Sequence, residues 1–418
     1  MEQSDFDKIH KTVEELLPQA EQFLCDLIRF PSISGKEADA MGYAEHKFAE
    51  LAEVERIFLS NHLREDEDYA DPIPGLEYEG RWQLRVRLPG AGAGRSLLFN
   101  THLDVVPPSQ GQDNPWEPSR GNGIIRGRGA CDAKGQATTI FLVMAVLRKL
   151  ECKLKGDLLA HLVVEEENGG NGTLAMVRRG EQADGCIVLE PTELRILSSV
   201  RGAVWFRVIC TGKPGHSGRV GDSVSALKMA TRVIDLFERF HARLLAASRG
   251  IPLFDVFPNP MPITFGKLQA GNWPATAPAQ AVLEGVLGFL PNKSRHQVMA
   301  ELRQAIREEG DEWLREHCQV EFMYRHDSHV LSPDHELVQG LQASCRKAGK
   351  QGEITAMTAS CDSWFYNNQL EIPTVVFGPG SLRHAHSNEE QIGLEEIAAG
   401  AAILIQLAQQ WCQSGGFF

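Results

Sequence analysis

The sequence has no paired cysteine spacing. Its nine cysteines (Cys25, Cys131, Cys152, Cys186, Cys210, Cys318, Cys345, Cys361 and Cys412) include no Cys-x-x-Cys, and the number is odd. This argues against a disulfide framework or a thiolate zinc site and favours reduced, mostly buried thiols. Long apolar runs are also missing: nothing reaches the roughly 18 residues of a membrane span. The opening stretch, MEQSDFDKIHKTVEELL, lacks the basic start and apolar core of a signal peptide. Basic charge is in deficit, with a net charge of -13, which argues against nucleic acid as a partner. There is no internal repeat and no low-complexity segment. The expectation is a cytoplasmic protein acting on a small molecule, with neither nucleic acid nor membrane as partner.

At 418 residues the chain is long enough for two domains. Residues 4–29 read as an amphipathic helix broken at Pro18, residues 37–53 as a second helix, and residues 61–80 as an acidic, Pro/Gly-rich exposed insertion. Apolar strands then alternate with helices: SLLFNTHLD, TTIFLVMAVLRKL, DLLAHLVVEEE, TLAMVRRG, GCIVLEPTE. This order predicts an α/β fold, a mixed, mostly parallel sheet flanked by helices. From about Val200 the texture changes to strand-helix-strand-strand-helix-strand, with HQVMAELRQAIREEGDEWLREH as one long helix. That order predicts a small α+β unit with an antiparallel sheet. The first texture returns near residue 334. The expected organisation is therefore a discontinuous domain, 1–200 and 329–418, with an inserted domain, 201–328.

Three buried strands end in polar clusters: His102 with Asp104, Glu165–Glu167, and Glu190. Ligands of open α/β sheets sit beyond the carboxyl ends of the strands, so these clusters converge. Asp132 in the Gly-flanked GRGACDAKGQ and His386 in PGSLRHAHSNEE join the candidates, with His384 as competitor to His386. Two imidazoles and three carboxylates suit a pair of divalent ions with one carboxylate shared. A leftover carboxylate is what a hydrolase needs to deprotonate an attacking water. One histidine at a strand end is ordinarily structural, and a Glu run is ordinarily a solvated helix start. However, acids directly after the apolar LLAHLVV are costly to bury unpaired. His161, inside that strand, reads as a hydrogen-bonded core histidine.

At these residues the sequence resembles the dinuclear-zinc M20 metallopeptidases, the group of acetylornithine deacetylase, succinyl-diaminopimelate desuccinylase, aminoacylase and the carboxypeptidase that cleaves folate glutamate. The matching stretches, in family order, are THLDVVP (101–107), GRGACDAKG (127–135), EEENGGNG (165–172), LEPT (189–192), GKPGHSG (212–218) and GPGSLRHAHSNEE (378–390). The resemblance implies a dinuclear-zinc exopeptidase-like catalytic domain with an inserted lid and dimerisation domain. It further implies that His102 and Glu190 bind one zinc, that Glu167 and His386 bind the other, and that Asp132 bridges them beside a cis peptide to Ala133. Asp104 would orient His102 through its other ring nitrogen, and Glu166 would be the general base. His216 would reach the other subunit's site and support the oxyanion, while Arg201 and Asn272 would contact substrate. Cobalt or manganese would also accept this donor set.

One departure stands out: Gly288, in GVLGFLP, occupies the place where many relatives carry an arginine. The implied reaction is hydrolysis of an N-acyl amino acid by a homodimer. Cleavage of a dipeptide or other exopeptidase substrate is the second reading, and a non-catalytic metal-binding relative the third.

Overall fold

The computed structural model describes residues 3–216, 218 and 221–413. Among these residues a nine-stranded sheet forms the larger body. Its centre is parallel: Leu97–His102 lies between Leu158–Val163 and Cys186–Val188, and Thr374–Val376 continues the order beside Cys186–Val188. Its flanks are antiparallel, with Glu53–Phe58 and Trp82–Leu88 on one side and His329–Val330 against Ile196–Val200 on the other. Every residue of Leu97–His102 and of Leu158–Val163 is buried, as expected of central parallel strands covered on both faces. The helix Lys134–Lys149 is buried from Lys134 through Leu147. It packs against the helices Gln3–Ile28 and Leu394–Trp411. The mixed, centrally parallel sheet flanked by helices is the expected α/β fold.

A separate four-stranded antiparallel sheet runs in the order Ile263–Ala270, Gln280–Phe289, Gly202–Thr211, Cys318–His326. Alternate residues of Gly202–Thr211 (Val204, Phe206, Val208 and Cys210) are buried. They share a core of their own with Val233, Phe237, Leu302 and Ile306, from the helices Ala226–Ala247 and Arg295–Glu309.

Three local expectations are corrected. The first helix runs unbroken from Gln3 to Ile28 with Pro18 inside. Its face of Ile9, Val13, Ala20, Phe23, Leu24 and Leu27 is buried, and this packing outweighs the one hydrogen bond a proline removes. The long helix expected over 296–317 is two, Arg295–Glu309 and Glu312–His317. Gly310 ends the first, and the Asp311 side chain caps the second by accepting from the Leu314 N–H at 2.9 Å. Asp311→Ala should therefore lower stability by about 1 kcal/mol, readable as a shifted urea midpoint with an unchanged slope.

The third concerns the segment 61–80, which is exposed over much of its length, as expected, but is pinned to the body at Asp68–Ala70 and Tyr78. Asp68, Tyr69, Ala70 and Tyr78 are buried. Asp68 pairs with Arg295 and Arg178, Arg325 donates to the Tyr69 carbonyl, and the Asp71 N–H donates to the Met323 carbonyl at 2.7 Å. Met323 lies at the irregularity where Cys318–His326 slips register against Gly202–Thr211. A bulge frees such a carbonyl from the ladder. Of the acids in this segment Asp68 is the one buried in ion pairs, while Glu65, Glu67, Asp71, Glu77 and Glu79 stay exposed.

Candidate metal centre

Two donor groups lie beyond the strand ends. His102, Asp132 and Glu190 offer ligand atoms within 4.8 Å of one another, and so do Asp132, Glu167 and His386. Asp132 belongs to both. Its Oδ1 is 3.0 Å from His102 Nε2, and its Oδ2 is 3.4 Å from His386 Nε2. His386 Nε2 is also 3.1 Å from Glu167 Oε1. His384 is in neither group.

Local structure explains each position. His102 ends the buried strand Leu97–His102, and its Nδ1 lies 2.9 Å from the Asp104 main-chain oxygen. With Nδ1 donating to that oxygen, Nε2 is the ring nitrogen that faces Asp132 and is left to serve as a ligand to a cation. The Asp104 carboxylate does something the sequence did not reveal. It sits 3.5 Å from His102 Nδ1, but its hydrogen bonds come from the Glu166 and Glu167 N–H groups, at 3.2 and 3.1 Å. Asp104 therefore fixes the imidazole with its backbone and the Glu166–Glu167 turn with its side chain. That turn needs the glycines that follow it. A Cβ on Gly170, at φ 74°, would meet Asp362 Oδ1 at 2.3 Å.

The three successive glutamates have different environments. Glu165 is fully buried and turned away, with Arg81 at 2.6 Å and the Tyr78 hydroxyl at 3.1 Å. Arg81 also holds Glu37 at 2.7 Å. Glu167 lies with His386. Glu166 belongs to neither donor group and lies 4.0 Å from His102 Nε2. Burial, then the Glu190 charge, pushes the Glu166 carboxyl well above the usual carboxylate range. Glu190 is raised by burial and by Asp132. His386 is pushed up to about 10 by Asp132 and Glu167.

The Asp132–Ala133 peptide is cis. The backbone N–H groups of Cys131 and Asp132 both donate to Glu390 Oε1 at 3.1 Å. Glu390 is paired at 2.5 Å with Arg128, both side chains being sealed from solvent. Sequence reasoning missed this pair, since Arg128 and Glu390 look like ordinary loop charges. It also missed Asp362, buried beside Glu166 and Glu190 and accepting from Thr173 Oγ1 at 2.6 Å. Burial pushes the Asp362 carboxyl up to about 7. Asp362 follows the buried strand Ile354–Met357, so the strand-end rule that found Glu190 also applied here.

Arg201 and His216 make their hydrogen bonds outside the donor groups. Arg201 is buried, donating to the Thr358 carbonyl and, at 3.1 Å, to the Gly202 carbonyl. Its guanidinium lies over Gly288, where a Cβ would come within 2.4 Å of Nη1. Gly288 thus makes room for the Arg201 guanidinium. His216 is exposed, its Nδ1 accepting from the Gly218 N–H at 3.1 Å, and its backbone bridges Thr276. Asn272 is exposed nearby. Within one chain the structure brings neither His216 nor Asn272 to the donor groups. His161 is bonded on both ring nitrogens, to Tyr366 and Glu181.

Chemically the donor groups offer imidazole nitrogen and carboxylate oxygen. Glu190 is 4% exposed, and the charges acting on it are other carboxylates and His102. A crowd of buried carboxylates sharing one member is a set that divalent cations fit and would neutralise.

Comparison with known proteins gives the same direction. Residues 98–410 match the description of peptidase family M20/M25/M40. The chain is 28% identical over 345 residues to N-formyl-4-amino-5-aminomethyl-2-methylpyrimidine deformylase of Bacillus subtilis, covering 76% of this chain and 79% of that protein. It is 26% identical over 329 residues to acetylornithine deacetylase of Vibrio cholerae, covering 77% and 83%. In fold it is similar to the dipeptidase Dug1p of Saccharomyces cerevisiae, with a TM-score of 0.81 and 14% identity over all of both chains. With a match across most of its length, this chain belongs to peptidase family M20/M25/M40 and is a hydrolase of amide bonds.

Proposed function

We propose that the protein hydrolyses the amide bond of a small N-acyl substrate, an N-acyl amino acid in the first instance. The observation that carries this is the division of labour around Asp132. Two donor groups share it, and Glu166 stands beside them uncommitted while Glu165 is tied to Arg81. His102 and Glu190 with Asp132 would hold one divalent cation, and Glu167 and His386 with Asp132 the second, zinc in both places. Such ions, when bound, polarise a carbonyl and acidify water. Glu166 takes the proton of the attacking water and returns it to the leaving nitrogen. Asp104 keeps Glu166 in reach through the Glu166 N–H. That the deformylase and the deacetylase both remove an acyl group supports deacylation over dipeptide cleavage.

Arg201 would bind a substrate carboxylate. It is a buried guanidinium whose hydrogen bonds go to carbonyls, not to an acid. Arg201→Met should remove it without adding bulk at Gly288, where a Cβ would also press on the Met261 backbone. The expected outcome is a KM raised at least tenfold with kcat changed much less, measured on an acyl amino acid beside its amide-capped analogue. Residues 201–328, with their own sheet and core, would form a lid and the contact of a homodimer, through which His216 and Asn272 would meet the partner's site. The exposed strand Ile263–Ala270 and Trp273, 67% exposed, support that contact.

A screen of N-formyl, N-acetyl and N-succinyl amino acids and dipeptides tests the reading. Chelated protein should be inactive on all of them and recover with zinc or cobalt. Hydrolysis confined to dipeptides would replace deacylation with the exopeptidase reading, and activity indifferent to chelation would overturn both.

A further inference from the structure

The four-stranded sheet carries a chemical feature with no part in amide hydrolysis. Cys210 and Cys318 are direct cross-strand partners between Gly202–Thr211 and Cys318–His326. Their sulfurs are 2.9 Å apart. Directly opposed residues of an antiparallel pair have Cα separations of about 4.5–5.5 Å. A disulfide spans about 4.4–6.8 Å, so closing the bond needs side-chain adjustment and no rebuilding of the strands. Among the described residues no other two cysteines share a hydrogen bond, and all nine are free thiols.

The two thiols differ in access. Cys210 is fully buried in the core of this sheet, and Cys318 is partly exposed at the strand's first residue. Their neighbourhood is anchored: the Trp313 indole N–H donates to the Thr211 carbonyl at 2.9 Å. The chain then leaves the sheet through Gly212 toward His216.

We infer that Cys210 and Cys318 form a redox modification site, a dithiol that small-molecule disulfides of the glutathione type convert reversibly to an intrachain disulfide. Cys318, the accessible thiol, attacks as thiolate on one sulfur of glutathione disulfide. A Cys318–glutathione bond forms and one glutathione thiolate leaves. Cys210 then attacks Cys318 Sγ as thiolate, closing the Cys210–Cys318 bond and expelling the second glutathione thiolate. The two thiol protons end on two glutathione thiols. The protein dithiol has lost two electrons, and glutathione disulfide has gained them. The shared S–H···S contact holds the Cys318 thiol below its ordinary value and raises that of Cys210, in keeping with this order of attack. The product staples the strand that feeds the His216 loop to its neighbour.

The test is mass analysis of the full chain after incubation with glutathione disulfide, alkylation of remaining thiols and peptide mapping. The expected product has lost two hydrogens, yields one linked pair of Cys210 and Cys318 peptides, and reverts with dithiothreitol. Cys210→Ser should stop at a glutathione adduct on Cys318, and Cys318→Ser should give neither adduct nor link at Cys210. Absence of the linked pair in the unsubstituted protein overturns the proposal, as does a Cys318→Ser protein that still oxidises at Cys210. None of these readouts depends on the substrate or on bound metal.

Discussion

Glu166→Gln is expected to lower kcat by about two to four orders of magnitude, the usual share of a positioned general base, with bound divalent metal unchanged. The split follows from the geometry. Glu166 is in neither donor group, so its loss removes no ligand, and the amide is isosteric and still fits the turn that Asp104 holds. Metal analysis and kcat measured on the same preparation decide the matter. Turnover near that of the unsubstituted protein would remove Glu166 as the base, and loss of metal would make it a ligand. Glu165→Gln provides the contrast. It leaves Arg81 with only Glu37 as acid partner, so its damage should appear in stability.

The second large effect is expected far from any reacting atom. Arg128→Met should cost roughly 3–5 kcal/mol, the range for removing one member of a buried ion pair, because both side chains are sealed from solvent. The stranded Glu390 still holds the Cys131 and Asp132 N–H groups, so the Asp132 loop should loosen and metal affinity fall with stability. The loss has a pH signature. Burial, then the Asp132 charge, already raises the Glu390 carboxyl above its ordinary 4.5, and Arg128 opposes this. Without Arg128 the folded-state value rises further. A carboxyl raised on folding favours the folded state least once pH exceeds that raised value, and the penalty disappears as pH falls to the unfolded value. The thermal-midpoint gap between variant and unsubstituted protein should therefore be widest near neutrality and narrow toward pH 4.5. A gap independent of pH would mean that lost packing, and not a stranded charge, sets the cost.

What could be read from the sequence, and what could not, has a physical basis. His102, Glu167 and Glu190 stand out because each ends or closely follows a strand opening on an apolar run, where a charged group is expensive without a partner. Asp132 and His386 stand out only through glycine-flanked motifs and a family likeness. Arg128, Glu390 and Arg81 are silent, since an arginine and a glutamate far apart in sequence carry no sign that they will be buried together. The burial of Asp68 was hidden for the same reason: an acid in an acidic run reads as solvated until Arg178 and Arg295 are seen facing it. The break at Gly310–Asp311 was legible, as a glycine followed by a capping residue, but the apolar spacing on both sides masked it. Asp104 shows a different limit. Its side chain and its backbone oxygen serve different partners, and residue spacing cannot separate them.

The way 61–80 is fastened also bears on dissection of the chain. Cut at the two crossings near residues 201 and 328, the four-stranded sheet would keep its own core but not its partners. Arg295 would lose Asp68, and Arg325 the Tyr69 carbonyl. The Met323 carbonyl would lose the Asp71 N–H. An excised piece would expose two cations shaped to fit a surface left behind, and the remainder would carry a loosened acidic loop beside Glu165. A graft of residues 201–328 onto another member of the family should therefore hold its fold better when the 61–80 segment is carried with it.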